Sequence, residues 1–338
     1  MERFVIGAAV AVAVLIAAGS MFGKGISDGQ GFRFEFADRG SGGAAKGDGV
    51  ASRVPPTLYA AAEVRIRDAA AVVNVIPEDR ADIAFEMTNP GVLLSPAVKV
   101  EGSALIVDGG LGRRVRNCET RNGWSVTING VGDVSEAQMP LITLRTPRDV
   151  DISVGGGVKT EIGASNSADL SFTGCGPSTV ADVAGRLKIS AAGSGDVTTG
   201  AARLVSVSAA GSGDIALGAV AESLEASVAG SGSVVAASLT GPLDVSIAGS
   251  GDVAVNGGAV TEADISIAGS GDVELAAGVV SLDVSIMGSG DVSVRGAAGS
   301  VDANIMGSGD VRVTSVSGRV QRAVMGSGSV SVGPLDED

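Results

Sequence analysis

The sequence predicts an all-β chain whose C-terminal half is a parallel β-helix of about ten coils, each of about nineteen residues. Three observations carry this expectation. A Gly-Ser-Gly motif recurs every 18 to 20 residues, aliphatic residues alternate at period 2 on both sides of it, and unbroken apolar columns emerge when the units are aligned by their glycines.

The motif places paired glycines at Gly193 and Gly195, Gly211 and Gly213, Gly230 and Gly232, Gly249 and Gly251, Gly269 and Gly271, Gly288 and Gly290, Gly307 and Gly309, and Gly326 and Gly328, each pair followed by Asp or Ser. Degenerate copies precede them at Gly174-Cys175-Gly176 and at the glycine run 155–157. Alternation such as Leu282, Val284 and Ile286 before a motif and Val292 and Val294 after it predicts two short strands per unit. Two residues before each motif the aligned units read Val154, Phe172, Ala191, Ala209, Val228, Ile247, Ile267, Ile286, Ile305 and Val324. A second column runs through Val197, Ile215, Val234, Val253, Val273, Val292, Val311 and Val330. One such unit cannot enclose a core. Identical units stacked about 4.8 Å apart, each strand pairing in parallel with the units above and below, bury one continuous ladder. Strand twist favours right-handed winding, and the six-residue subrepeat of a left-handed hexapeptide helix is absent.

At each corner glycine is expected to supply a positive φ without steric cost. The Asp that follows is expected to cap its own turn as an Asx-turn, with Ser233 and Ser329 doing so in two units.

Gly-Ser-Gly-Asp corners followed by Val-x-Val, with strands such as Leu282-Asp283-Val284-Ser285-Ile286 before them, resemble the family of putative auto-transporter adhesins with a head GIN domain. The likeness covers residues 150–333. It implies a bacterial envelope protein with a β-helical fold and an adhesin-like role. The acidic end of the chain carries no strands for a membrane barrel, so self-secretion is not expected.

Taken in order, residues 1–23 hold an uncharged run from Phe4 to Phe22, expected as an apolar helix that serves as a signal peptide or a signal anchor. Residues 24–57, rich in Gly, Ser and charge, read as a flexible spacer. Residues 58–149 alternate in short runs broken by turn clusters such as Asn89-Pro90-Gly91, and are expected as a β-rich cap or as irregular first coils. Residues 150–333 are the repeats, and 334–338 an acidic tail.

Composition narrows function. A net charge of −14 argues against a sequence-independent grip on nucleic acid. The chain contains no His, which removes Ser-His-Asp and Cys-His nucleophile systems and the commonest zinc ligand. The corner loops lack the Lys and spacing of a P-loop. No catalytic residue and no cofactor is therefore expected.

Four features are candidate sites. The corner aspartates Asp196, Asp214, Asp252, Asp272, Asp291 and Asp310 form a column that reads as turn capping, with a calcium ladder through Asp252, Asp272, Asp291 and Asp310 as the rival. A second acidic column contains Asp169, Glu225, Asp244, Asp264, Asp283 and Asp302. Met287, Met306 and Met325 line up directly before the last three corners, either packed beneath a loop or in a wider corner, or forming an adaptable binding surface. Arg113, Arg114, Arg116 and Arg121 are a basic cluster, read as a solvated loop or an anion site. Outside the cytoplasm Cys118 and Cys175 would either pair as a disulfide or stay as two buried thiols.

The expected function is that of a non-catalytic exported envelope protein, adhesin-like or structural, that presents a rigid rod to an envelope or cell-surface ligand, protein or glycan. The alternatives are a polysaccharide-acting lyase or hydrolase and a calcium-binding repeat protein. Periplasm, inner membrane through residues 4–22, and cell surface all stay open as locations, as does self-association.

Overall fold

The computed structural model describes residues 45–120 and 123–334. Strands dominate, and the only helical segments among the described residues are 3-10 turns at Gly112–Arg114 and Glu136–Gln138. Among the described residues no helix is long and apolar enough to cross a membrane. The expected apolar helix in residues 1–23 and all but the first residue of the acidic tail lie outside the described residues. The chain divides between Gly200 and Ala201 into two compact units.

Residues 201–334 are regular parallel coils with three arms. A first arm such as Val253–Val255 leads into the strand Gly258–Gly269, which supplies a short middle arm at residues 258–260 and a third arm that ends at the next corner. Elsewhere the arms merge into single strands, as in Ile215–Gly230, Val234–Gly249 and Val292–Gly307. Stacking is in register. The column Val228, Ile247, Ile267, Ile286, Ile305 and Val324 pairs residue for residue, and so does the column from Ile215 through Val234, Val253, Val273, Val292, Val311 and Val330. The middle arm corrects the expectation of two strands per unit. It is too short to display a period-2 signal, yet Val260, Val279 and Ala298 stack in register and are buried. In the last described coil the third arm, Val320–Gly326, is exposed throughout. There Arg322 occupies the place that Ala303 fills one coil earlier and donates to the Val330 carbonyl at 3.4 Å. A charge at an inward position is a feature that discourages further strand addition.

Residues 45–200 hold the irregular coils. Glu63–Pro77 is their spine: it pairs in parallel with Ala104–Asp108 and Leu141–Thr146 and, on another edge, with Asp149–Ile162. Asp149–Ile162 templates Ser167–Gly174 and Ser178–Val180, which template Arg186–Gly193 and Val197–Thr199. An antiparallel layer joins them, with Ser52–Tyr59 paired to Ile83–Asn89 and that strand to Leu141–Thr146. Phe85, Met87, Ile142 and Leu144 are fully buried beneath it. Ala97–Glu101 forms a hairpin with Ala104–Asp108.

Residues 24–44 of the expected spacer 24–57 lie outside the described residues, and the described part, 45–57, is ordered into the fold. Ala45 is buried, Lys46 bridges to Leu93, and Ser52–Tyr59 is a strand. Its Pro55-Pro56 pair mimics a linker, but both prolines lie at a register slip between Val54 and Thr57, in a strand whose recorded pairing is to one neighbour. Edge strands tolerate prolines there because no ladder hydrogen bond is lost.

An insertion at residues 111–139 carries a separate three-stranded antiparallel sheet, Val115–Glu119, Ser125–Ile128 and Gly132–Ser135. Its apolar side closes a second small core around Trp124, Val126, Ile128 and Val134, which also takes in Ala45, Ala70 and Leu111.

Candidate functional site

Each corner is built between coils rather than within one. The Ser250 N–H donates to the Gly230 carbonyl at 2.9 Å, Ser270 to Gly249 at 2.8 Å, and Ser289 to Gly269 at 2.8 Å. The two glycines of a corner serve different ends. Gly249 has φ +138°, which side-chain-bearing residues rarely adopt, as expected. Gly251 needs no positive φ; a Cβ there would lie 2.3 Å from the Gly232 carbonyl oxygen one coil away, so it is close approach that demands glycine.

The corner aspartates also act on the neighbouring coil, which corrects the expectation of a local Asx-turn. Asp214 Oδ1 accepts the Ser233 N–H at 2.9 Å. Asp252 accepts from the Asp272 N–H, Asp272 from Asp291, Asp291 from Asp310 and Asp310 from Ser329, each at 2.8 Å. One oxygen of each carboxylate is thus committed to the next coil's backbone. Arg312, which no sequence signal marked, spans the second oxygens of Asp291 at 2.9 Å and Asp310 at 2.5 Å.

Cys118, in the insertion sheet, is bonded to Cys175, in the degenerate corner, with Cα atoms 5.8 Å apart. Lys159 reaches Glu136 at 2.8 Å and ties the same insertion to the coil strand Asp149–Ile162. Arg113, Arg114 and Arg116 lie on this insertion, Arg113 and Arg116 exposed, while Arg121 falls outside the described residues.

A regular exposed surface is the outer side of the third arms in residues 201–334. Because Val245 and Ile247 point inward, Asp244, Ser246 and Ala248 point outward, and register repeats this on every coil. Three columns result. The first is Glu225, Asp244, Asp264, Asp283 and Asp302; the second is Ser227, Ser246, Ser266, Ser285 and Asn304; the third is Ala229, Ala248, Ala268, Met287, Met306 and Met325. The middle column was not anticipated, although the alternation contains it.

Among the described residues no Lys or Arg pairs with the acidic column. Partial burial and then the Asp264 and Glu225 charges raise the pKa of Asp244. Partial burial and then Glu262 raise that of Asp264, and partial burial followed by Asp264, Asp302 and Glu262 raises that of Asp283. The corresponding column in residues 45–200 runs Asp151, Asp169 and Lys188, where the Lys188 ammonium pairs with Asp169 at 3.1 Å. The methionines are neither packed beneath a loop nor filling a corner: Met287, Met306 and Met325 are 37%, 53% and 63% exposed.

Chemically this face offers carboxylates, hydroxyls and thioethers on a rigid lattice, with no imidazole anywhere in the chain to act as a base.

A parallel β-solenoid with in-register outer columns defines the class of protein. Residues 182–298 and 242–333 match the family described as putative auto-transporter adhesin, head GIN domain, so this repeat region is similar to that family. Among solved structures, the chain is similar to a putative lipid binding protein from Parabacteroides distasonis ATCC 8503, at 21% identity over 86% of this chain and 98% of that one with a TM-score of 0.45. It is also similar to a putative adhesin from Parabacteroides merdae ATCC 43184, at 20% identity over 86% and 98% with a TM-score of 0.43. A putative adhesin from Bacteroides fragilis NCTC 9343 matches at 15% identity over 83% and 97%, with a TM-score of 0.32. Among curated proteins none is significantly similar.

Proposed function

We propose that this chain is an exported, non-catalytic, adhesin-like module that holds a partner surface on the outer side of its third arms. The observation that carries the reading is the acidic column Glu225 to Asp302, which no cation within the described residues offsets. Stacked like charges oppose folding, so a neutral column would stabilise the coils better. A partner bearing Lys, Arg or amino-sugar groups relieves that repulsion on binding, and the serine column supplies hydrogen bonds beside it. Export follows from the apolar run Phe4 to Phe22 and fits a chain whose two cysteines are joined.

The test is binding of the purified chain to envelope fragments and whole cells at increasing salt, beside the triple variant Asp244→Asn, Asp264→Asn, Asp283→Asn. Salt-sensitive binding that drops at least tenfold in the variant supports the reading. Equal binding by both proteins, or recovery of the native chain in the cytoplasm after fractionation, overturns it.

A further inference from the structure

We infer that Met287, Met306 and Met325 form a thioether site for a soft monovalent cation, Cu(I). The three residues pair in register, Met287 with Met306 and Met306 with Met325, at the end of the third arm. The coils before them place Ala229, Ala248 and Ala268 at the same position, so the fold needs no bulk there. The side chains gain little from burial, being 37%, 53% and 63% exposed. The two other described methionines behave oppositely: Met87 and Met139 are 1% and 2% exposed in apolar surroundings. Methionine in residues 201–334 is confined to this one column.

Geometry and chemistry agree with the assignment. Parallel rungs lie about 4.8 Å apart, so the Cα atoms of Met287 and Met325 are separated by about 9.6 Å with Met306 midway. Each outer side chain, with three rotatable bonds, has to lean by only about 2.5 Å to bring its sulfur onto an ion held by Met306. Thioethers select Cu(I) over the hard cations that carboxylates prefer. The acidic residues Asp283 and Asp302 lie four positions upstream of Met287 and Met306 on the same outer face and raise the local cation concentration without supplying ligands. This site does not depend on the partner proposed above, since its residues and its ligand are different.

The full chain, with its disulfide intact, is titrated with Cu(I) in anaerobic ascorbate against a chromogenic Cu(I) chelator. One equivalent per chain is expected to be retained. Met306→Leu should weaken retention at least tenfold, and the triple variant Met287→Leu, Met306→Leu, Met325→Leu should abolish it. Leucine conserves volume at exposed positions, and an unchanged melting curve verifies that the coils persist. With methyl-labelled methionine, Ag(I) as a diamagnetic probe should shift the resonances of Met287, Met306 and Met325 and leave those of Met87 and Met139 in place. Retention by the triple variant equal to that of the native chain, no retention by the native chain, or an Ag(I) response spread over all methionines each overturns the assignment.

Discussion

The two units solve the same problem by different means. In residues 201–334 each coil is held by its neighbours' backbone: carbonyls, corner amides and one carboxylate oxygen per corner all bond to the next coil, and the one buried polar side chain is Ser208. In residues 45–200 the buried polar residues are Asn89, Thr146, Thr160, Ser165, Ser178, Ser190 and Thr199. Thr160 and Ser178 stack where the regular coils set valines, and Thr160 Oγ1, Thr146 Oγ1, Ser165 Oγ and Trp124 Nε1 are buried without a partner. That unit is held instead by an antiparallel layer, a second core and a covalent link. A repeated local rule gives a stable coil wherever neighbours obey it; where the rule lapses, specific long-range bonds take its place.

The sharpest way to break the regular coils is at a corner. Gly251→Val should cost about 2–4 kcal/mol, because its Cβ meets the Gly232 carbonyl oxygen at 2.3 Å and Val228 Cγ1 at 2.7 Å and neither coil can yield alone. Asp272→Ala, which only orphans the Asp291 N–H at an exposed corner, should cost about 1 kcal/mol. Denaturant unfolding followed by circular dichroism ranks the two. If the aspartate change were the larger, capping rather than close approach would govern the corner.

Reducing the disulfide should act on the other unit alone. Cys118 and Cys175 close a loop of 57 residues, and losing that link should cost residues 45–200 about 2–4 kcal/mol. Trp124, the chain's one tryptophan, is buried in the insertion core, so its emission should shift to the red on reduction as that core opens. The unfolding of the regular coils should stay where it was. An unmoved Trp124 signal would mean that the insertion is held by its apolar contacts and by Lys159–Glu136 without the covalent link.

The smallest effect expected is electrostatic. The carboxyls of Asp244, Asp264 and Asp283 are raised in the folded chain, so the folded state holds those protons more tightly than the unfolded one. Their contribution to stability is complete below the unfolded value and is lost as pH rises through the folded one. Acidifying from pH 7 to about 5 should therefore raise the melting temperature of residues 201–334 slightly, and the triple Asn variant should flatten the response. Asp79 and Glu101 in the other unit have the opposite sign: Arg148 and Lys99 lower them, and what they contribute is lost as pH falls.

Much of this was legible in residues alone. The corners and both inward columns follow from spacing, because register in a parallel stack copies sequence period directly into space. The outward place of Met287 was also there to read: Ile286 points in, and alternation turns its neighbour out. What spacing cannot display is a three-residue middle arm, the destination of a carboxylate that bonds to the next coil rather than its own, or a strand that contains Pro55-Pro56. Those depend on partners about nineteen residues away or more, and composition carries no trace of them.

The joint between the middle and third arms has a consequence for how such a chain changes over generations. Register slips occur there between Ala202 and Leu204 and between Gly241 and Leu243, where a coil one residue shorter or longer than its neighbour is absorbed before the next corner. An insertion or deletion at that joint should be absorbed in the same way, whereas the same event inside an arm would turn the following side chains of that arm inside out. Genes for such coils can therefore drift in length and recombine by whole units, lengthening or shortening the stack while each surviving corner keeps its address.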